Sequence, residues 1–419
     1  MKTLLLILFI APLTLFGQWN QVGQDINGDN ADDFLGWSVS LNADGTILAA
    51  GGIQNDAGGN NVGHVKVYQH NGSSWVQLGQ DIVGDSSNEN SGSSVELNSS
   101  GNIIAIGSQS YVGSDGRVRV FEFDGTSWTQ RGQTINAEGP EDLAEKVSLN
   151  ADGDVLAIGA SGNNGIGVNS GHTRIFEFNG SAWVQMGQDI DGENAGDSSG
   201  SEINLSADGQ TIAIGAPFSD FGAMNTGHTS VFQFDGNSWI QLGQNIIGEA
   251  ANDLSGSAVK LNDSGDILAV GAFGNDGNGS FSGHVRVYQF DDVNWNQIGQ
   301  DIDGANEGDF SGIFVDLSAT GESIVIGAQL SDGNGTDSGE MRVFNYDGAS
   351  WVQRGESIFG ANANDKLANV NISSDGSRIV GAAPFASTVV GSESGQVRVY
   401  EFGNPPINNN PINSIPLQI

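Results

Sequence analysis

The chain has 419 residues, with 50 Asp and Glu against 14 Lys and Arg, a formal net charge of −36 and no cysteine. That charge excludes partners held by electrostatic attraction to phosphate, such as nucleic acid or an anionic membrane, and suits cations, neutral glycans or basic proteins. Without disulfides the fold must be held by packing alone, which a chain of this length permits.

Taken in chain order, residues 1–17 place Lys2 ahead of an apolar run (residues 4–10) and close on the small Gly17. This is the pattern of a secretory signal peptide, with cleavage expected near Gly17 and Gln18 as the mature start. The run is too short, and too soon interrupted by Pro12, to cross a bilayer, and no later stretch is apolar enough for a transmembrane helix. A secreted or cell-surface location is expected, in a style that reads as bacterial.

From Trp19 a phrase of the form Trp-x-Gln-x-Gly recurs at Trp75, Trp128, Trp183, Trp239, Trp295 and Trp351, at intervals of 56, 53, 55, 56, 56 and 56 residues. A fixed period of this size marks an array of one supersecondary unit. Each unit holds four short strand-like segments separated by Gly, Asn, Asp and Ser. Segment A alternates (Ser38-Val39-Ser40-Leu41). Segment B is a continuous apolar run (Ile267-Leu268-Ala269-Val270). Segment C alternates again (His284-Val285-Arg286-Val287), and segment D is the tryptophan phrase. The chain starts on a lone D and ends on A, B and C, so the first strand would complete the last unit and close a ring. The fold class expected is an all-β, seven-bladed β-propeller over residues 18–402, with four antiparallel strands per blade. Residues 403–419, rich in Pro and Asn, are read as a tail or linker.

The A–B core resembles the FG-GAP repeat of integrin-alpha-type propellers. Asp33-Phe34-Leu35-Gly36-Trp37-Ser38-Val39 and Asp309-Phe310-Ser311-Gly312 match its opening, Gly215-Ala216-Pro217 its second element, and Gly283-His284-Val285-Arg286-Val287-Tyr288 its third. The resemblance implies a propeller and a role in extracellular recognition or adhesion. The calcium-binding members carry alternating carboxylates in the A–B turn. Here that turn is Asn42-Ala43-Asp44-Gly45 or Ser206-Ala207-Asp208-Gly209, so the family's calcium site does not carry over. No cofactor is expected, with calcium left open: the A–B turns do not support it, and only Asp332-Gly333-Asn334-Gly335-Thr336-Asp337 has the look of a calcium loop.

Aligned on the Gly or Ala that opens strand A, every unit shows an acid three residues earlier: Asp33, Glu89, Glu141, Asp197, Asp253, Asp309 and Asp365. These are expected to form a structural ring that accepts backbone N–H groups in the D–A loops. Strand C carries Lys66, Arg119, Arg174, Ser230, Arg286, Arg342 and Arg398 at its centre. Their packed position demands ion pairing with loop acids. His64, His172, His228 and His284 open strand C on separate blades and are expected to hydrogen-bond a neighbouring loop rather than bind metal. The seven tryptophans are read as packing between outer strands; Trp37, found only in the first unit, is the exception.

The B–C loops vary most, and variable loops on a rigid scaffold are where specificity resides. The candidate ligand-binding residues lie there: Tyr111, Phe218, Asp220, Phe221, Asn275, Asp276, Phe281, Asp332, Asn334 and Asp337. No nucleophile–base pair, phosphate loop or metal cluster is legible. The expected function is non-enzymatic recognition of an extracellular protein or glycan through the B–C and D–A loop face. The alternatives are a polysaccharide-active enzyme using loop carboxylates and a structural surface or matrix protein.

Overall fold

A computed structural model describes residues 17–109, 116–139 and 141–403. The leader, the tail beyond Gly403 and Tyr111 lie outside the described residues. Seven antiparallel sheets stand in a ring as a seven-bladed β-propeller, with no helix among the described residues. Blade 1 is typical: strand A Leu35–Leu41, B Ile47–Gly52, C His64–His70, and a D strand in two pieces, Trp75–Gln77 and Ile82–Val83. In blade 7, A (Asn369–Ile372), B (Arg378–Ala383) and C (Gln396–Gly403) are joined by Gln18–Gln21 and Ile26–Asn27 from the start of the chain. Trp19 pairs with Phe402 and Gln18 with Gly403, which closes the ring.

Strand B is buried along its whole length in most blades, because a neighbouring blade covers each of its faces. The apolar core accordingly lies between blades. In one cluster Val65 and Val67 of blade 1 pack with Val95, Leu97, Ile104 and Ile106 of blade 2, and Trp128 caps them from outside.

The tryptophan phrase is the joint between blades. Trp75 Nε1 donates to the Val22 carbonyl at 2.9 Å. A Cβ on Gly23 would meet Trp75 Cδ1 at 2.8 Å, and its φ of +75° is one that side chains rarely adopt. Gln24 clamps the tryptophan's own backbone: its Nε2 donates to the Trp75 carbonyl at 2.7 Å and its Oε1 accepts the Trp75 N–H at 3.0 Å. The same clamp recurs at Gln80, Gln133, Gln188, Gln244 and Gln300. At the seventh joint Glu356 stands where glutamine would be. There Trp19 Nε1 still reaches the Arg354 carbonyl at 2.9 Å, and the Arg354 guanidinium lies 4.1 Å from the Phe402 ring centre.

The seven A strands line a central channel. At the end bearing the A–B turns, backbone hydrogen bonds run all the way round. They pass from Ala43 to Ser99, Ala151, Ala207, Asp263, Ala319 and Ser374 and back to Ala43, at 2.8–3.1 Å. The other end carries the D–A and B–C loops together, as the Asn88 N–H bond to the Asn60 carbonyl shows.

Candidate functional site

The loop candidates divide by chemistry. Phe218, Phe221 and Phe281 are exposed, although Phe221 leans on His228 and Phe281 on Phe310. The acids among them hold their own loops in shape. Asp220 accepts the Asn225 N–H at 2.8 Å, Asp276 that of Phe281 at 2.9 Å and Asp332 that of Asp337 at 2.9 Å. Asp56 and Asn164 do the same in two further blades. In all five the residue that donates has a positive φ of 48–54°. Asn275 is buried and accepts the Gly277 N–H, and Asn334 donates to the Gly360 carbonyl. The Asp332–Asp337 stretch, which reads as a calcium loop in isolation, is thus one copy of a turn shared by five blades.

The acid ring is present in the D–A loops with one correction. Asp33, Glu89, Asp253 and their equivalents Asp197, Asp309 and Asp365 are buried and accept backbone N–H groups three or four residues earlier. In blade 3 that position is held by Asp142, which accepts from Glu138 and Gly139 at 3.0 and 2.7 Å, whereas Glu141 is exposed. The slip arises because Glu145 replaces the small residue, Gly or Ala, that opens strand A elsewhere. Ala144, the residue before it, packs on Gly116 as Ser91 packs on Gly63.

The strand C cations find acids, mostly those four residues before the ring. Lys66 Nζ lies 2.7 Å from Asp29 and 3.5 Å from Asp81, Arg119 2.9 Å from Asp85, Arg174 3.2 Å from Glu138, and Arg286 3.4 Å from Glu249. Arg398 pairs with Asp25 at 2.9 Å. In blade 4, where Ser230 takes the cation's place, an amide bridges instead: Ser230 donates to Asn245, whose amide reaches Glu193.

Beside these pairs lie the buried histidines. Three sets, Asp29/His64/Asp81, Glu138/His172/Asp189 and Glu249/His284/Asp301, each bring one atom per residue within 4.8 Å of the others. Lys66, Arg174 and Arg286 already supply a cation to those carboxylates, so a divalent ion would have to displace it. The hydrogen bond expected of these imidazoles is missing: both nitrogens of His64 lack a partner, as do His172 Nε2, His228 Nδ1 and His284 Nε2, and His64 Nδ1 stays 3.6 Å from Asp81. Burial holds His172, His228 and His284 below the usual histidine range.

The repeat is lost again at the channel wall, which the sequence reading passed over. The middle residue of each A strand points inward, and these are Ser40, Glu96, Ser148, Asn204, Lys260, Asp316 and Asn371. Most act as latches to the next blade. Ser40 accepts the Leu97 N–H at 3.0 Å, Ser148 that of Leu205 at 3.0 Å and Asn204 that of Leu261 at 2.8 Å. Asp316 accepts from Ile372 at 2.8 Å and Asn371 from Leu41 at 2.7 Å. Lys260 cannot accept, and instead reaches Asp316 at 3.4 Å.

Burial pushes the Glu96 carboxyl up to about 7; Lys260 opposes the rise and Asp316 adds to it. Burial also raises Asp316, against the pull of Lys260. For Lys260 burial works downward, but Asp316, Glu96 and Glu202 outweigh it and raise the ammonium.

This layer divides the channel into a cavity of about 120 Å³ toward the A–B turns and a funnel of about 380 Å³ open to the loop face. One side of the funnel is aromatic, formed by Trp37, Phe314, Ile313 and Phe385 of blades 1, 6 and 7. Phe34, Trp37 and Phe385 meet there edge-on, with ring centres 5.4–6.4 Å apart. Facing them are Ser93, Ser94 and Gln109 of blade 2, Glu145 and Lys146 of blade 3, and Glu202 of blade 4. Lys146 pairs with Glu202 at 3.3 Å, which raises the ammonium, while burial raises Glu145. Glu145 Oε2 is enclosed without a hydrogen-bond partner. A flat apolar wall opposite a polar one, at the mouth of a rigid ring, can hold a ligand with one apolar face and one hydrogen-bonding edge.

No protein-family model matches the chain, and no curated protein matches it.

Proposed function

We propose that the chain is a secreted or cell-surface recognition propeller, akin to the FG-GAP kind, that binds an extracellular protein or glycan without transforming it. The binding face is the one carrying the D–A and B–C loops, with the funnel at its centre. The observation that carries this reading is the funnel lining: side chains repeat from blade to blade at the outer joints and in the acid ring, and cease to repeat where the channel meets solvent. Duplication copies what the scaffold needs, so residues that depart from the copy are free to serve a ligand. A leader-like start and the net charge of −36 fit an exported surface.

A second reading is favoured by Glu96, held near neutrality as a general acid requires, in a channel with other carboxylates. Against it, Asp316 is committed to Lys260 and to the Ile372 N–H.

The test is an array of glycans and matrix proteins probed with the chain from Gln18 onward, with calcium and with chelator, followed by product analysis. Binding to one ligand class, unchanged by chelator and without product, is the expected result. Released saccharide ends would establish the hydrolase instead. Silence in every arm would favour a structural surface protein.

A further inference from the structure

We infer that the funnel holds a saccharide unit bearing a free amino group, entering end-on from the loop face. This rests on the recognition reading and narrows it to one pocket and one ligand class. The volume of about 380 Å³ is that of a ring-sized guest with some water rather than a single slender side chain, and the Ser40/Glu96/Lys260/Asn371 layer closes the far end. Trp37, the one tryptophan outside the repeated joints, stands exposed on the aromatic wall and gives a sugar's C–H face a flat surface to stack on. The opposite wall offers the hydroxyl, amide and carboxylate groups of Ser93, Ser94, Gln109, Glu145 and Glu202 to the ring's hydroxyls.

Charge selects among sugars. Once Lys146 is paired with Glu202 and Lys260 with Asp316, Glu96 and Glu145 are left without a cation of their own. Glu145 Oε2 has no partner at all. An acidic saccharide would meet this excess of carboxylates and the field of the whole chain, whereas an ammonium group beside aromatic rings gains from both. An N-acetylated sugar keeps the stacking and loses the charge.

The experiment is titration of the chain from Gln18 onward with glucosamine trimer, N-acetylglucosamine trimer, glucose trimer and a Gly-Lys-Gly peptide. Binding is read by calorimetry and by tryptophan fluorescence, to which Trp37 is the contributor inside the funnel. The free-amine trimer is expected to bind about tenfold or more tighter than the acetylated one, with an affinity that falls as salt rises. Trp37→Ala and Glu145→Gln should each weaken it about tenfold while leaving the thermal midpoint near that of the parent. A Val293→Ser variant, at the exposed C–D turn of blade 5, should bind as the parent does, and a Phe218→Ala/Phe221→Ala double variant separates loop binding from funnel binding.

Equal affinity for amino and acetylated trimers would overturn the proposal, as would tighter binding of the lysine peptide or unchanged binding by Trp37→Ala. Binding on the array that is lost in the Phe218→Ala/Phe221→Ala variant, with the funnel variants unaffected, would sink this inference and leave the recognition reading intact.

Discussion

The outer joints and the channel wall are built on the same backbone repeat, yet they use side chains in opposite ways. At the rim, each tryptophan drops into a slot made by a carbonyl, a glycine and a glutamine of the preceding blade, and six of the seven joints keep the glutamine. At the wall the same task, a hydrogen bond to the next blade, is done by Ser, Asn or Asp as it happens, and one position abandons it for Lys260. The rim needs one shape, whereas the wall needs only an acceptor. That laxity leaves the wall free to accumulate the charges and aromatic rings that make a pocket.

The comparison breaks most visibly if a rim tryptophan is removed. Trp239→Ala empties a buried slot and loses the Nε1 bond to the Met186 carbonyl; the expected loss is about 3–5 kcal/mol in urea unfolding. A wall residue tests the other side. Lys260→Met leaves Asp316 enclosed without its cation, and a loss of about 3 kcal/mol is expected. Adding Asp316→Asn, which keeps an acceptor for the Ile372 N–H, should recover most of that loss. No recovery would show that the pair does more than balance charge.

The smallest effect is one of pH. Glu96 titrates near 7 in the folded chain and near 4.5 when unfolded, so the folded state holds its proton more tightly. The associated stability is full below the ordinary carboxyl range and is lost as pH rises through about 7. Glu96→Gln removes that dependence, and unfolding at pH 5 and pH 8 should show the variant gaining on the order of 2 kcal/mol relative to the parent at the higher pH. An unchanged difference would mean that Glu96 is ionised throughout.

The fold was legible because the rim is strict. Trp-x-Gln-x-Gly survives in every unit, and a lone first D strand with a missing last one dictates closure. The glutamine after the phrase carried equal information, since it clamps the next tryptophan's backbone, but its role shows only once blades are side by side. Anchoring each unit on a small residue failed in blade 3, because Glu145 occupies that residue's place and shifted the ring acid to Glu141 instead of Asp142. The funnel was missed for the converse reason. Its residues share no chemistry, and what marks them is a polar residue between two apolar ones in each A strand, as in Val95-Glu96-Leu97 and Val259-Lys260-Leu261. A search for the column that varies, rather than the one that repeats, would have found it. Phe218, Phe221 and Phe281 of the candidate loops are exposed, while the loop acids turned out to be committed to their own turns.

Gln18 and Gly403 are register partners at the outermost position of blade 7. The Phe402 N–H bonds the Ser377 carbonyl in the A–B turn of that blade, so both partners lie at the end of the ring away from the funnel mouth. Tethering at either partner would therefore hold the ring with its loop face, and the funnel, turned toward passing ligand. A linker of a few residues could join the two ends without crossing either face, so a circular or permuted chain should keep the funnel clear.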